Sequence, residues 1–221
     1  MRLALTALPL ALLAACGSPE PAPEPVPTPS ATPDKPKMLV PADFALLALG
    51  ARIEGPRGPQ VKSTFAADGE TLADVVSTVA CPAATDPCTP ADLPAGTVYT
   101  YILRVTPAEG VESATLFRTA RAVSGFANLV GYNMAEAAAA LGEEGEIDVS
   151  ADNGALVWRV VGGNGWTAGE TITLYWQSTL APEGPREAYQ FEADGVSALG
   201  TGPFPPREVP VEGPVDEASQ R

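Results

Sequence analysis

The sequence predicts an all-β fold across residues 38–200: an antiparallel β-sandwich with one short α-helix. Three observations predict it. Short runs that alternate apolar and polar residues recur along this region, and turn-forming clusters separate them at the intervals typical of sandwiches. Glycine and proline are frequent, 21 and 24 of 221 residues, while apolar periodicity of helical length is scarce. Together these give about seven to nine short strands. Ser124 is a candidate meeting point of two subdomains, and the region is long enough to bury a real core.

The first element is FALLALGARIEG, residues 44–55, which is apolar and then alternating and runs into the turn-rich GPRGP; it predicts an early strand. GETLADVVSTVAC fits two descriptions. Leu72, Val75, Val76 and Val79 trace a helical stripe, while Val75, Val76, Thr78 and Val79 are strand formers. DLPAGTVYTYILRVTP is a strand by its alternation, with Tyr99, Tyr101, Leu103 and Val105 on one face and Thr100, Ile102 and Arg104 on the other. ESATLFRTARAV follows as the next strand across a PAEG turn.

NMAEAAAALG, residues 133–142, is the predicted helix. Asn133 caps it, Glu136 stands where a capping box needs an acid, alanine has the best helix propensity, and Gly142 supplies the stop. EIDVSADNGALVWRVVG holds Asn153-Gly154 between two strand-like runs, a strong local hairpin signal. GGNGW, ETITLYWQST, an APEGP turn and a last strand, EAYQFEADG, complete the region. Residues 201–221, with five prolines and few apolar groups, read as a disordered acidic tail.

Leu93, Pro94, Gly96, Thr97 and Tyr99 together resemble the corner before strand F of fibronectin type III and immunoglobulin-like sandwiches. In those folds a tyrosine hydroxyl bonds back to the main chain. The resemblance, at residues 93–105, implies an Ig/fibronectin-like arrangement and carries no activity.

The chain opens MRLALTALPLALLAAC: one basic residue, an apolar run too short for a bilayer span, then small residues and a cysteine. Leu13, Ala14, Ala15 and Cys16 resemble the lipobox of bacterial lipoproteins. The resemblance implies that residues 1–15 are a signal peptide removed at maturation and that Cys16 is the lipid attachment site, carrying acyl chains including palmitate. A plain signal peptide with a chance cysteine is the alternative. Several chains are needed for durable attachment, because each buried methylene contributes about 0.8 kcal/mol and one chain holds only marginally. Residues 16–37 hold eight prolines and no periodicity for a core, so they read as a disordered, extended spacer reaching about 65 Å. By resemblance to enterobacterial sorting, Gly17 after the cysteine favours the periplasmic side of the outer membrane over the inner membrane.

Charge and composition then exclude function classes. With 13 basic and 27 acidic residues the formal charge is −14, which disfavours nucleic acid, and loss of Arg2 with the leader makes it more negative still. There is no histidine, so serine, cysteine and zinc hydrolases built on that residue lack their key group. A Ser-Lys mechanism would need Lys62, whose surroundings, GPQVKSTF, resemble no such site. Cys81 and Cys88 in CPAATDPC read as a disulfide of an exported protein, since zinc spacing differs and no histidine completes a site.

Carboxylate chemistry of the glycosidase type remains open, with Trp158, Trp166, Trp176 and Tyr175 as candidate sugar walls. The strand pattern instead puts Trp158 and Trp176 in the core as a pair across adjacent strands, and leaves Trp166, in its glycine-rich turn, as the candidate ligand contact. Glu143, Glu144, Glu146, Asp148 and Asp152 lack the order of a calcium loop and read as a solvated face.

The expectation is therefore a lipid-anchored cell-envelope protein with a binding or structural role. It is not expected to be an enzyme or to carry a cofactor or resident metal. It meets the membrane through Cys16 and has an envelope protein or glycan as partner. The alternatives are a carboxylate-dependent enzyme acting on glycan and an accessory subunit whose sheet edge accepts a partner strand.

Overall fold

The computed structural model describes residues 39–54 and 60–207. The expected leader, Cys16, the proline-rich spacer, the GPRGP turn and the tail beyond Arg207 lie outside the described residues. Among those described, the protein is all-β, with twelve strands in two sheets and a single α-helix.

The strands are β1 (Val40–Asp43), β2 (Leu49–Arg52), β3 (Val61–Ala67), β4 (Glu70–Pro82), β5 (Tyr99–Pro107), β6 (Ala114–Thr119), β7 (Phe126–Tyr132), β8 (Glu146–Asp152), β9 (Ala155–Gly162), β10 (Ile172–Ser178), β11 (Gly184–Ala193) and β12 (Val196–Phe204); the helix α1 is Met134–Leu141. The larger sheet runs β1-β7-β10-β5-β4-β2, and β3 also pairs with β4. Strand β4 is long enough to hold two partners along one side, β3 against its first half and β2 near its end. The smaller sheet runs β12-β11-β6-β9-β8. Pairing is antiparallel except at one edge, where β1 runs parallel to β7.

Strands from before and after Ser124 interleave in both sheets, and the described residues fall within one compact unit, so Ser124 is not a boundary between subdomains. The stretch 44–55 is not one strand. A 3₁₀ turn, Phe44–Leu46, separates β1 from β2, so the chain leaves one edge of the larger sheet and rejoins at the other. Of GETLADVVSTVAC, every residue after Gly69 is strand, in β4.

The smaller sheet also extends past the expected end of the domain. β12 continues to Phe204, which is buried, so residues 201–204 belong to the fold rather than to a tail. Its inward positions include Gly200 and Gly202. A Cβ on Gly200 would run into the Phe65 ring, and one on Gly202 would press on the Tyr189 ring. Aromatic rings from neighbouring strands thus fill the space that side chains of β12 would otherwise need.

The core is a continuous series of aromatic contacts linking the sheets. Tyr101 stacks on Trp176 with ring centroids 4.2 Å apart, Trp176 meets Phe204 at 5.6 Å, Phe204 meets Tyr189 at 5.8 Å, Tyr189 meets Phe117 at 5.7 Å and Phe117 meets Trp158 at 6.1 Å. Such pairs stabilise beyond their area burial by about 0.5–1.5 kcal/mol each. Trp158 and Trp176 are both buried, but they lie on opposite sheets and not on adjacent strands. The indole N–H of Trp158 crosses the interior and donates to the main-chain O of Gly131 on β7 at 2.9 Å, so one side chain pins the two sheets together.

Helix α1 joins the larger sheet to the smaller at one end of the sandwich, with Ala137, Ala140 and Leu141 buried. Asn133 Oδ1 accepts the main-chain N–H groups of Ala135 and Glu136, and Gly142 ends the helix with a φ of 86°. Asn153 and Gly154 turn the β8–β9 hairpin with φ values of 49° and 80°, the left-handed pair that this tight turn requires.

Candidate functional site

Two clefts stand out, and each grows from a different feature of the fold. The first lies on the outer face of the larger sheet. Its floor is Val76, Thr78 and Ala80 of β4 with Ile102 and Arg104 of β5, and it encloses about 520 Å³. Residues 43–49 cross this face as a strap between β1 and β2, and Phe44 and Leu49 of the strap line the cleft.

Specific bonds hold the strap. Asp43 Oδ1 accepts the main-chain N–H groups of Ala45 and of Met134, both at 3.1 Å, so one carboxylate caps the 3₁₀ turn and ties it to α1. Tyr175 Oη donates to the main-chain O of Ala42 at 2.9 Å, and its ring lies 5.7 Å from that of Phe44. Burial, with Asp43 nearby, pushes the Tyr175 phenol up to about 12.

Glu136 lines one side of this cleft. The capping box expected of it does not form: its Oε2 instead accepts the main-chain N–H of Thr173 on β10 at 2.6 Å, joining helix to sheet. On the strap side stand Arg52 and Gly50.

The far end of the strap rests on the disulfide. Cys81 and Cys88 are bonded, with Cα atoms 5.7 Å apart, and they close the loop after β4. That loop receives β2: the Ala51 N–H donates to Thr85 O at 2.9 Å, and Ile53 bridges to Cys88.

The second cleft, about 840 Å³, lies where the chain leaving β6 meets β11 and the end of β12. Arg121, Arg186 and Arg207 line it, with Glu183 and Pro206. Arg121 donates to the main-chain O of Glu187 at 2.6 Å, and its guanidinium carbon lies 5.9 Å from the centre of the Phe204 ring. Arg186 pairs with Glu183 at 2.5 Å.

The other residues singled out by sequence lie elsewhere. Trp166 is 2% exposed and does not offer a ligand contact. Its N–H donates to Glu170 O at 2.7 Å and its ring packs edge-on against Phe191 at 5.7 Å, because the glycine-rich turn folds inward across the crossover from β9 to β10. The five acids between Glu143 and Asp152 are exposed, and Asp152 pairs with Arg118 at 3.4 Å. Among the described residues no group of three or more His, Cys, Asp or Glu is placed to hold a metal ion, and no helix is long and apolar enough to cross a membrane. At the LPAGTVY corner, Thr97 Oγ1 donates to Pro94 O at 2.7 Å, and within the following strand Tyr101 Oη donates to Leu180 O at 2.9 Å.

Sequence reasoning missed all five arginines of the two clefts. They are scattered along the chain, and only the β2–β4–β5 and β6–β11–β12 pairings bring them together. No family model, curated protein or solved structure matches the chain.

Proposed function

We propose that this is a lipid-anchored protein of the bacterial cell envelope, attached through acyl chains on Cys16, whose β-sandwich binds a partner rather than catalysing a reaction. The observation that carries the binding reading is the make-up of the two clefts. Each has an aromatic residue and a single carboxylate in its lining: Phe44 with Glu136 in one, Phe204 with Glu183 in the other. A glycan-cleaving site needs two acids facing one bond, about 5–9 Å apart, beside an aromatic wall. The three tryptophans are all buried, which removes the best candidates for such a wall. An oxidising compartment is the setting in which the Cys81–Cys88 disulfide persists.

The experiment is fractionation. Wild-type protein is expected in the membrane fraction and released by detergent, and Cys16→Ala in the soluble fraction or unprocessed. Mass spectrometry of the mature N-terminus should find acylated Cys16. An unmodified Cys16, or unchanged membrane association of Cys16→Ala, would overturn the anchor.

A further inference from the structure

We propose that the cleft between the ends of β6, β11 and β12 is a docking site for an acidic peptide segment of a partner protein, held by the guanidinium groups of Arg121, Arg186 and Arg207. This deepens the binding reading above by naming the chemistry of the partner, and it rests on that reading.

The described residues carry 20 acids and eight Lys or Arg, so a random surface cleft of this protein should be lined mainly by acids. This one collects three of the eight cations and one carboxylate. Gathering like charges costs free energy through mutual repulsion, and an anionic occupant relieves that cost.

The chemistry of the three groups narrows the occupant. A guanidinium offers five N–H donors in a planar fork that suits carboxylate oxygens. Glu183 pairs with one terminal nitrogen of Arg186, which shows the kind of anion this wall accepts. Arg121 has one donor engaged by a main-chain oxygen and its plane supported by Phe204, so its position is fixed while other donors stay available. Arg207 is exposed at the rim, and among the described residues it makes no ion pair.

The cations come from three separate elements, the chain after β6, β11 and the chain after β12, and prolines lie among them. Carboxylates spaced along an extended chain fit that distribution. The volume, about 840 Å³, is within the usual range for a binding pocket.

The test is a titration of the folded protein with a synthetic peptide of alternating glutamate and valine, followed by NMR or calorimetry, against a matched peptide with glutamine in place of glutamate. The glutamate peptide should bind, the glutamine peptide should not, and affinity should fall as salt rises. Arg207→Gln and Arg121→Lys should each weaken binding by about tenfold, since losing a charge-assisted fork contact costs about that much. Arg159→Gln, which removes the same charge from an exposed position on β9, should leave binding unchanged. Arg207 is exposed, so its variant reports binding even if Arg121→Lys perturbs folding. Equal binding of both peptides, or equal loss in Arg159→Gln, would overturn the proposal. Inorganic phosphate displacing the peptide at lower concentration would assign the cleft to phosphate instead. A negative result here leaves the fractionation of Cys16→Ala untouched, so the two readings fail separately.

Discussion

The two clefts differ in what builds them. The strap cleft is a product of main-chain pairing: β1 on β7 at one edge and β2 on β4 at the other stretch residues 43–49 across the sheet, and the space beneath follows from that path. The arginine cleft is made by side chains at strand ends, resting on a core aromatic. A wall of backbone survives most substitutions but yields when an anchor of the strap is cut. A wall of guanidinium groups can lose its selectivity one residue at a time while the fold stays intact. Shape is thus conferred by topology in one place, and chemistry by removable groups in the other.

The largest expected effect comes from Phe204→Ala, which should break the separation between core and arginine cleft. The ring touches Trp176 and Tyr189 and supports Arg121, so its loss should cost about 3–5 kcal/mol in chemical denaturation and abolish peptide binding together. Binding that persisted in a destabilised variant would show that the cleft does not depend on the core.

Next is the disulfide. Replacing Cys81 and Cys88 by serine should cost about 2.5 kcal/mol in the chain-entropy description and speed hydrogen exchange at Ala51 and Ile53, whose amides bond to Thr85 and Val79. The arginine cleft should be unaffected, and equal loosening of both clefts would contradict their independence.

Tyr175→Phe should cost about 1 kcal/mol by removing the bond to Ala42, with faster exchange confined to β1 and the strap. The same residue sets an alkaline limit. Its phenol titrates at 10 when exposed and at about 12 when folded, so the unfolded chain releases the proton first. Its contribution is complete below pH 10 and is lost as pH rises through about 12, seen as falling stability alongside tyrosinate absorbance. Burial raises Tyr101 and Tyr189 in the same direction.

The smallest effect is expected at Ser77. Its Oγ is buried and has no hydrogen-bond partner among the described residues, so Ser77→Ala should be neutral or stabilise by up to about 1 kcal/mol, read from denaturation midpoints.

The same contrast explains what was legible in the sequence. Helix α1 and the β8–β9 hairpin were readable because their signals are local: Asn133 and Gly142 bracket one, and Asn153-Gly154 turns the other. β4 was not decidable. Val75 and Val79 face the core while Val76 and Thr78 line the strap cleft, and a strand covered on both faces loses its alternation. The Asp68-Gly69 pair before it carries the same turn signal as Asn153-Gly154 and could have decided the matter.

β12 was hidden for the opposite reason: at Gly200 and Gly202 its inward face carries no side chains, because Phe65 and Tyr189 fill that volume. Trp166 was misplaced because a glycine-rich turn signals a change of direction but not whether the turn folds outward or inward. The clefts were illegible because their residues share a cavity and no sequence neighbourhood.

One consequence of the parallel pairing at the sheet edge is mechanical. A tug on the chain at residue 39 meets the four-residue ladder Val40–Asp43 before it meets any strand of the aromatic interior. Load applied there would fall first on that ladder and on the bonds that Asp43 and Tyr175 add to it, at the margin of the cleft floored by Val76 and Ile102.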